Sequence, residues 1–176
     1  IMDIKTKDGN KKKFGGKLTA NTFGSKLLLE GPLSKNQKSS FVFSGKTSYL
    51  DKSSDIFYKE PLFTFDENGL PYSYTDLYGK ISLHGNNGSK FNIFGFNFQD
   101  LVDYENISKL SWNSNGIGSE FILIPGNSPV LIEGNFAYSS YKISLDEAAS
   151  PLRESGISGF NMGFDFTYFK PKRKIK

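Results

Sequence analysis

The sequence predicts an all-β fold, an antiparallel meander of about eight long strands that forms part of a transmembrane β-barrel. Three observations predict it. Apolar and polar residues alternate with period two through most of the chain, the pattern of strands with two unlike faces. Several strand-like runs reach ten or more residues, whereas ordinary strands average about five or six and membrane-spanning strands need about 9–11. The connections alternate between short turns and long links, as in outer-membrane barrels. Composition agrees, because 17 Phe, 9 Tyr and 18 Gly with interspersed Asn, Ser and Thr favour strands and turns over helices. A length of 176 residues fits one domain.

The opening "IMDIKTKDGN" reads as a short strand followed by a glycine turn. Strand-like runs follow at 16–20 and 25–33, and in the second Leu27 and Leu29 oppose Lys26 and Glu30. In the run 39–50, Phe41, Phe43 and Tyr49 share one phase, while Ser44, Lys46 and Ser48 share the other. In 72–84, Leu77, Ile81 and Leu83 oppose Asp76, Lys80 and Ser82. The run 90–99 carries apolar residues on both phases, Phe94, Phe96 and Phe98 on one and Phe91 and Ile93 on the other. In 109–124 the phase is not clean; Gly116 and Gly118 mark a bulge or bend, and Glu120 is expected to point inward with Gly118. In 129–144, Val130, Ile132, Phe136 and Tyr138 oppose Glu133, Asn135 and Ser139. The last run, 157–170, sets Phe160, Met162, Phe164, Phe166 and Tyr168 against Asn161, Gly163, Asp165 and Thr167.

Mid-strand charges thus avoid the apolar phase. A soluble sheet with one wet face also alternates. Here the apolar phase is strongly aromatic with Tyr near strand ends, as in membrane-interface girdles, and the polar phase is rich in Gly, Asn, Ser and Thr, as in a barrel lumen. Lys26, Glu30, Lys46, Asp76, Lys80, Glu120, Glu133 and Asp165 are therefore expected to face a lumen, with Lys and acid neutralised across strands. Phe41, Phe43, Leu77, Ile81, Val130, Ile132, Phe136, Phe160, Met162, Phe164, Phe166 and Tyr168 are expected to face lipid. Thr167, in the polar phase, is expected to tolerate a charge.

Few residues carry catalytic chemistry. There is no cysteine and one histidine, His84, so a Cys/His zinc set is excluded and no triad base other than His84 exists. His84 stands at a strand end before "GNNGS" and reads as a turn-side residue. "DENG" (66–69) has the start of a calcium loop without the rest of the pattern. No catalytic residue, metal site or cofactor is expected, and the chain is not read as an enzyme. The basic clusters Lys11–Lys13 and "KPKRKIK" read as solvated ends, not as a nucleic-acid surface.

"IMDIKTKDG" resembles the end of the plug domain in TonB-dependent outer-membrane receptors of the Bacteroidetes type, just before the chain enters the barrel. "FGGKLTANTFGSKLLLEGPL" resembles their first barrel hairpin, and "SFVFSGKTSYLD", "YTDLYGKISL", "SWNSNG" and "LIEGNFAYSSYKI" continue the likeness. The resemblance covers essentially the whole chain. It implies residues 1–12 as the end of the plug and the linker, and 13–176 as the N-terminal strands of a barrel of about 22 strands. The chain is expected to be partial. The resemblance further implies the bacterial outer membrane, contact with its lipid, and uptake of a scarce nutrient (an iron chelate, cobalamin or glycan) driven through TonB, with a surface lipoprotein or other outer-membrane subunits as further partners. Turns 34–39, 85–89 and 125–129 would be periplasmic. Loops 51–71, 100–108 and 145–156 would be extracellular, with Phe57, Tyr58, Phe63 and Phe65 as contact candidates. The alternatives are a self-closed eight-stranded anchor or adhesion barrel, which requires the first and eighth strands to pair, a barrel component of a larger assembly, and a soluble β-sandwich that binds sugar.

Overall fold

The computed structural model describes residues 6–50, 53, 71–104, 107–126, 128–170 and 173–175. One antiparallel sheet holds every strand, in the order of the chain: β1 (Gly15–Ala20), β2 (Gly24–Pro32), β3 (Ser39–Ser48), β4 (Tyr72–His84), β5 (Lys90–Tyr104), β6 (Ser108–Leu123), β7 (Val130–Glu147), β8 (Ser150–Lys170) and β9 (Arg173–Ile175). The eight-stranded meander is thus extended by a ninth strand of three residues, which pairs with Tyr168–Lys170 inside the basic segment read as a solvated end. β1 pairs with β2 alone and β8 with β7 and β9, so no closure between the first and eighth strands is present among the described residues.

The ladder runs in register from β1 to β8, with one irregularity between Leu145 and Glu147. Residues opposite each other in a ladder share a face, so the pairing sorts the whole sheet. One row runs Phe41–Ile81–Ile93–Ser119–Phe136–Met162 on the apolar face. A neighbouring row runs Val42–Lys80–Phe94–Gly118–Ala137–Asn161 on the opposite, polar face.

This register resolves the two mixed strands. Phe91 and Ile93 lie opposite Leu83 and Ile81 on the apolar face, and Phe94, Phe96 and Phe98 lie on the polar face with Lys80, Tyr78 and Asp76. The β6 glycines explain how those rings fit. A Cβ on Gly118 would stand 2.6 Å from Phe94 Cζ, and one on Gly116 would stand 2.8 Å from the Phe96 ring. The expected bulge at Gly116 and Gly118 is absent, since pairing is regular on both sides; these glycines leave room for neighbouring rings. On the apolar face, Phe121, Phe136 and Phe164 form a trio, with centroids 5.3 Å apart between Phe136 and Phe164.

The loop expectations need correction at 100–108 and 145–156. β5 continues to Tyr104 and β6 starts at Ser108, while β7 reaches Glu147 and β8 begins at Ser150. These segments are polar and resemble loops in composition, yet pairing satisfies their backbone, and ion pairs line their sides: Lys109–Asp103 at 3.0 Å, Lys142–Glu154 at 2.8 Å, and Arg153–Glu147. Only the β3–β4 connection is long at that end, and residues 51–52 and 54–70, with Phe57, Tyr58, Phe63, Phe65 and "DENG", lie outside the described residues. At the other end the turns are short, and Gly88 takes a left-handed φ of 87° that suits glycine. Thr167 is 2% exposed, so the expectation that it would tolerate a charge is also corrected: an added charge there has no water to reach.

We expect Gly118→Val to destabilise the sheet by about 1–3 kcal/mol through overpacking against Phe94. The double variant Gly118→Val/Phe94→Ala should recover part of that loss. Urea midpoints in detergent measure both, and strictly additive losses would contradict the proposed fit between ring and glycine.

Candidate functional site

The polar face is where side chains converge, and a stretch of chain lies across it. Residues 6–10 form no strand. They cross β2–β5 on the polar side, and each of Thr6, Lys7 and Asp8 finds a partner there. Lys7 Nζ donates to both carboxylate oxygens of Glu30 at 3.0 Å. Tyr78 donates from its hydroxyl to Thr6 Oγ1 at 2.7 Å. Lys80 Nζ donates to the Thr6 carbonyl at 2.9 Å and lies 3.0 Å from Asp8 Oδ1. Ser82 Oγ donates to the same Asp8 oxygen at 3.1 Å. Lys90 Nζ stands 2.9 Å from Asp8 Oδ2, and His84 Nε2 stands 3.5 Å from it.

Asp8 therefore joins the ends of β4 and β5. Partial burial acts to raise its pKa, but hydrogen bonds and charge from Lys90 and Lys80 outweigh burial and hold the carboxyl well below the usual carboxylate range. Lys80 is 5% exposed, and burying an ammonium without such a partner is costly. Gly9 comes so close to β3 that a Cβ would run into the Phe41 carbonyl. Asn10 then turns the chain by accepting from the backbone N–H groups of Lys12 and Lys13 through Oδ1. Phe14 arrives on the other side of the sheet, its ring 6.2 Å from that of Phe41.

Burial follows this segment. Ser40, Val42, Lys80, Ser82 and Asn92 are buried, all on the polar face of β3–β5. Val42 is the single buried hydrophobic among the described residues, whereas Phe160, Met162, Phe164 and Phe166 are each about half exposed or more. Among the described residues of β3–β5, burial thus falls on the polar face, and the aromatic stripe of β8 is bare.

All eight charged residues expected on one face share it: Lys26, Glu30, Lys46, Asp76, Lys80, Glu120, Glu133 and Asp165. Their pairing departs in detail from simple neutralisation across strands. Lys46–Asp76 is such a pair, at 3.1 Å. Glu30 and Lys80 are met by Lys7 and Asp8 of the crossing segment. Glu133 lies directly opposite Asp165. With Lys90, Asn92, Glu120 and Asn135 these two acids line an open cleft of about 790 Å³. The twelve apolar-phase residues from Phe41 to Tyr168 all lie on the opposite face. No group of His, Asp and Glu able to hold a metal occurs among the described residues.

Asp8, Lys90, Asn92 and His84 were not legible as partners from the sequence. The only signal was the polar phase of β4, because nothing local says that a segment more than seventy residues away will lie across it. The chain matches no known family profile, no curated protein and no solved structure.

A depressed folded-state pKa means that ionised Asp8 favours the docked segment. That contribution is full above the ordinary aspartate value of 3.8 and is lost as pH falls through the lower folded value. Hydrogen-exchange protection of residues 6–13, corrected for intrinsic rates, should hold from about pH 7 to about pH 5 and decline only below the ordinary value. Asp8→Asn should remove most of that protection throughout. Loss of protection in the wild-type chain already at about pH 6 would point to a different group.

Proposed function

We propose that this chain is the plug-to-barrel junction and first barrel strands of a TonB-dependent receptor in the bacterial outer membrane. Its role is uptake of a scarce nutrient, an iron chelate, cobalamin or glycan. The observation that carries the reading is which face is covered. A segment of chain is bound across the polar face by Lys7–Glu30, Asp8–Lys80 and Asp8–Lys90, while the aromatic face is bare. A soluble sandwich covers its apolar face instead. A barrel with a plug inside and lipid outside has the arrangement found here.

The dimensions agree. On β8 the apolar stripe from Phe160 to Tyr168 covers nine residues, and a tilted membrane-spanning strand needs about 9–11. Beyond it the same face of β7 and β8 turns polar through Ser140, Lys142, Ser144 and Glu154, as strands do where they leave lipid. β8 is paired by β9 only at Tyr168–Lys170, and unpaired backbone in lipid costs several kcal/mol per group. The proposal therefore includes neighbouring strands that complete the wall. That need, with the lack of pairing between β1 and β8 among the described residues, favours it over the self-closed eight-stranded barrel. Partners of this reading are outer-membrane lipid, the TonB system and a surface lipoprotein or other outer-membrane subunits.

Phe164→Arg should block membrane assembly, at a cost of about 2–4 kcal/mol for a cation at the bilayer midplane. Asn161→Arg, three residues away on the polar face and exposed, should assemble normally. Outer-membrane fractionation with heat-modifiable gel mobility measures both. Equal tolerance at the two positions would remove the lipid assignment.

A further inference from the structure

The two ends of the apolar face carry charge differently. At the end with the long β3–β4 connection, acids and bases neutralise each other, Asp103 with Lys109 at 3.0 Å and Glu154 with Lys142 at 2.8 Å. At the short-turn end the chain presents bases. Lys12 and Lys13 precede β1, Lys35 and Lys38 lie between β2 and β3, and Lys170 ends β8 with Arg173 of β9 opposite it. None of these five lysines makes an ion pair among the described residues. Asp8 and Glu30, the acids of this end, lie on the polar side and are taken by Lys80, Lys90 and Lys7. The bare cations border apolar surface, because Phe14, Leu33, Leu83 and Tyr168 are all exposed. Lys170 Nζ stands 6.0 Å from the centre of the Tyr168 ring, the last ring of the β8 stripe. An ammonium held just beyond the last ring of an apolar stripe is the arrangement of an interfacial anchor.

We infer that this basic rim binds the anionic head groups of phospholipids in the leaflet at the short-turn end. Charge selects the head group. Uncompensated lysines at a membrane surface attract anionic lipid, whereas a zwitterionic head group offers no net charge to meet them. At the far end each cation of the pairs above already has its carboxylate, so that rim gains little from an anionic lipid. Position selects lipid over nucleic acid, the other polyanion a basic cluster can hold. The cations follow the border of an apolar face from the β2–β3 turn to the end of β8, and a nucleic acid seated there would leave Phe14, Leu33 and Tyr168 in water. A lipid covers both at once, with acyl chains on the rings and phosphate on the ammonium groups. The inference rests on the receptor reading in one respect, that the aromatic face meets lipid. It adds which lipid class and which leaflet. It also gives a role to the basic end of the chain, which the sequence alone reads as solvated.

The test places the membrane-assembled protein in phosphatidylcholine vesicles with spin-labelled phosphatidylglycerol or spin-labelled phosphatidylcholine. Electron spin resonance reads the fraction of each label held at the protein surface. Phosphatidylglycerol should be preferred about threefold or more at low salt, and the preference should vanish at about 1 M salt, where screening reaches about 3 Å. The variant Lys12→Gln/Lys35→Gln/Lys38→Gln/Lys170→Gln should lose most of the preference. The far-rim variant Lys109→Gln/Lys142→Gln should keep it, and unchanged heat-modifiable mobility controls for assembly in both. Equal retention of the two labels by the wild-type chain would overturn the inference, as would a preference that the fourfold variant retains. Inorganic phosphate should weaken the preference no more than chloride at equal ionic strength. A larger effect of phosphate would indicate a free-anion site and overturn the lipid assignment, as would binding of a single-stranded oligonucleotide in place of phosphatidylglycerol selectivity. Assembled protein without lipid preference ends this inference alone, whereas protein recovered outside the membrane ends the receptor reading and this one with it.

Discussion

An unbroken antiparallel register underlies every other feature of this molecule. Side chains alternate between faces along each strand, and cross-strand partners share a face. A slip of one residue between any two strands would send Lys80 or Asp165 to the aromatic side and Phe164 to the polar side. No slip occurs from β1 to β8 except near Leu145 and Glu147. That irregularity lies beyond the apolar stripe, in the extended end of β7 and β8, where both faces carry polar residues.

Given that register, the polar face poses an electrostatic problem and the crossing segment answers it. Lys80 is buried, and a buried ammonium without a partner is expensive. Asp8 and Thr6 supply its acceptors, and Asp8 also meets Lys90 from the next strand. Glu30 is met by Lys7. The segment is thus held by charge and hydrogen bonds with almost no apolar burial, since Val42 is the single buried hydrophobic among the described residues. Such a contact is specific without being oily, which suits a segment that must sit against a polar wall.

Period-two alternation made the faces of β2, β3, β4, β7 and β8 legible from sequence, because each of those strands separates charge from aromatic rings. β5 and β6 were not legible, for a physical reason. Phe94 and Phe96 occupy the polar face by lying over Gly118 and Gly116, and a fit between a ring and a glycine on different strands leaves no trace in local periodicity. The far ends of β5–β8 read as loops because their composition is polar, whereas pairing and flanking ion pairs keep them extended. The polar face itself was visible in the sequence, but the Asp8 cluster was not. Its partners are separated by more than seventy residues, and sequence spacing carries no information about a contact of that range.

The central claim is that the aromatic face meets lipid and the polar face meets water. The absence of cysteine from the sequence makes single-cysteine labelling the most direct measurement. One cysteine at a time is placed from 160 to 166 in the membrane-assembled protein and treated with a water-soluble maleimide. Labelling should alternate with period two, with Asn161, Gly163 and Asp165 positions reactive and Phe160, Met162, Phe164 and Phe166 positions protected. Uniform labelling, or reactivity concentrated at the Met162 and Phe164 positions, would contradict the account.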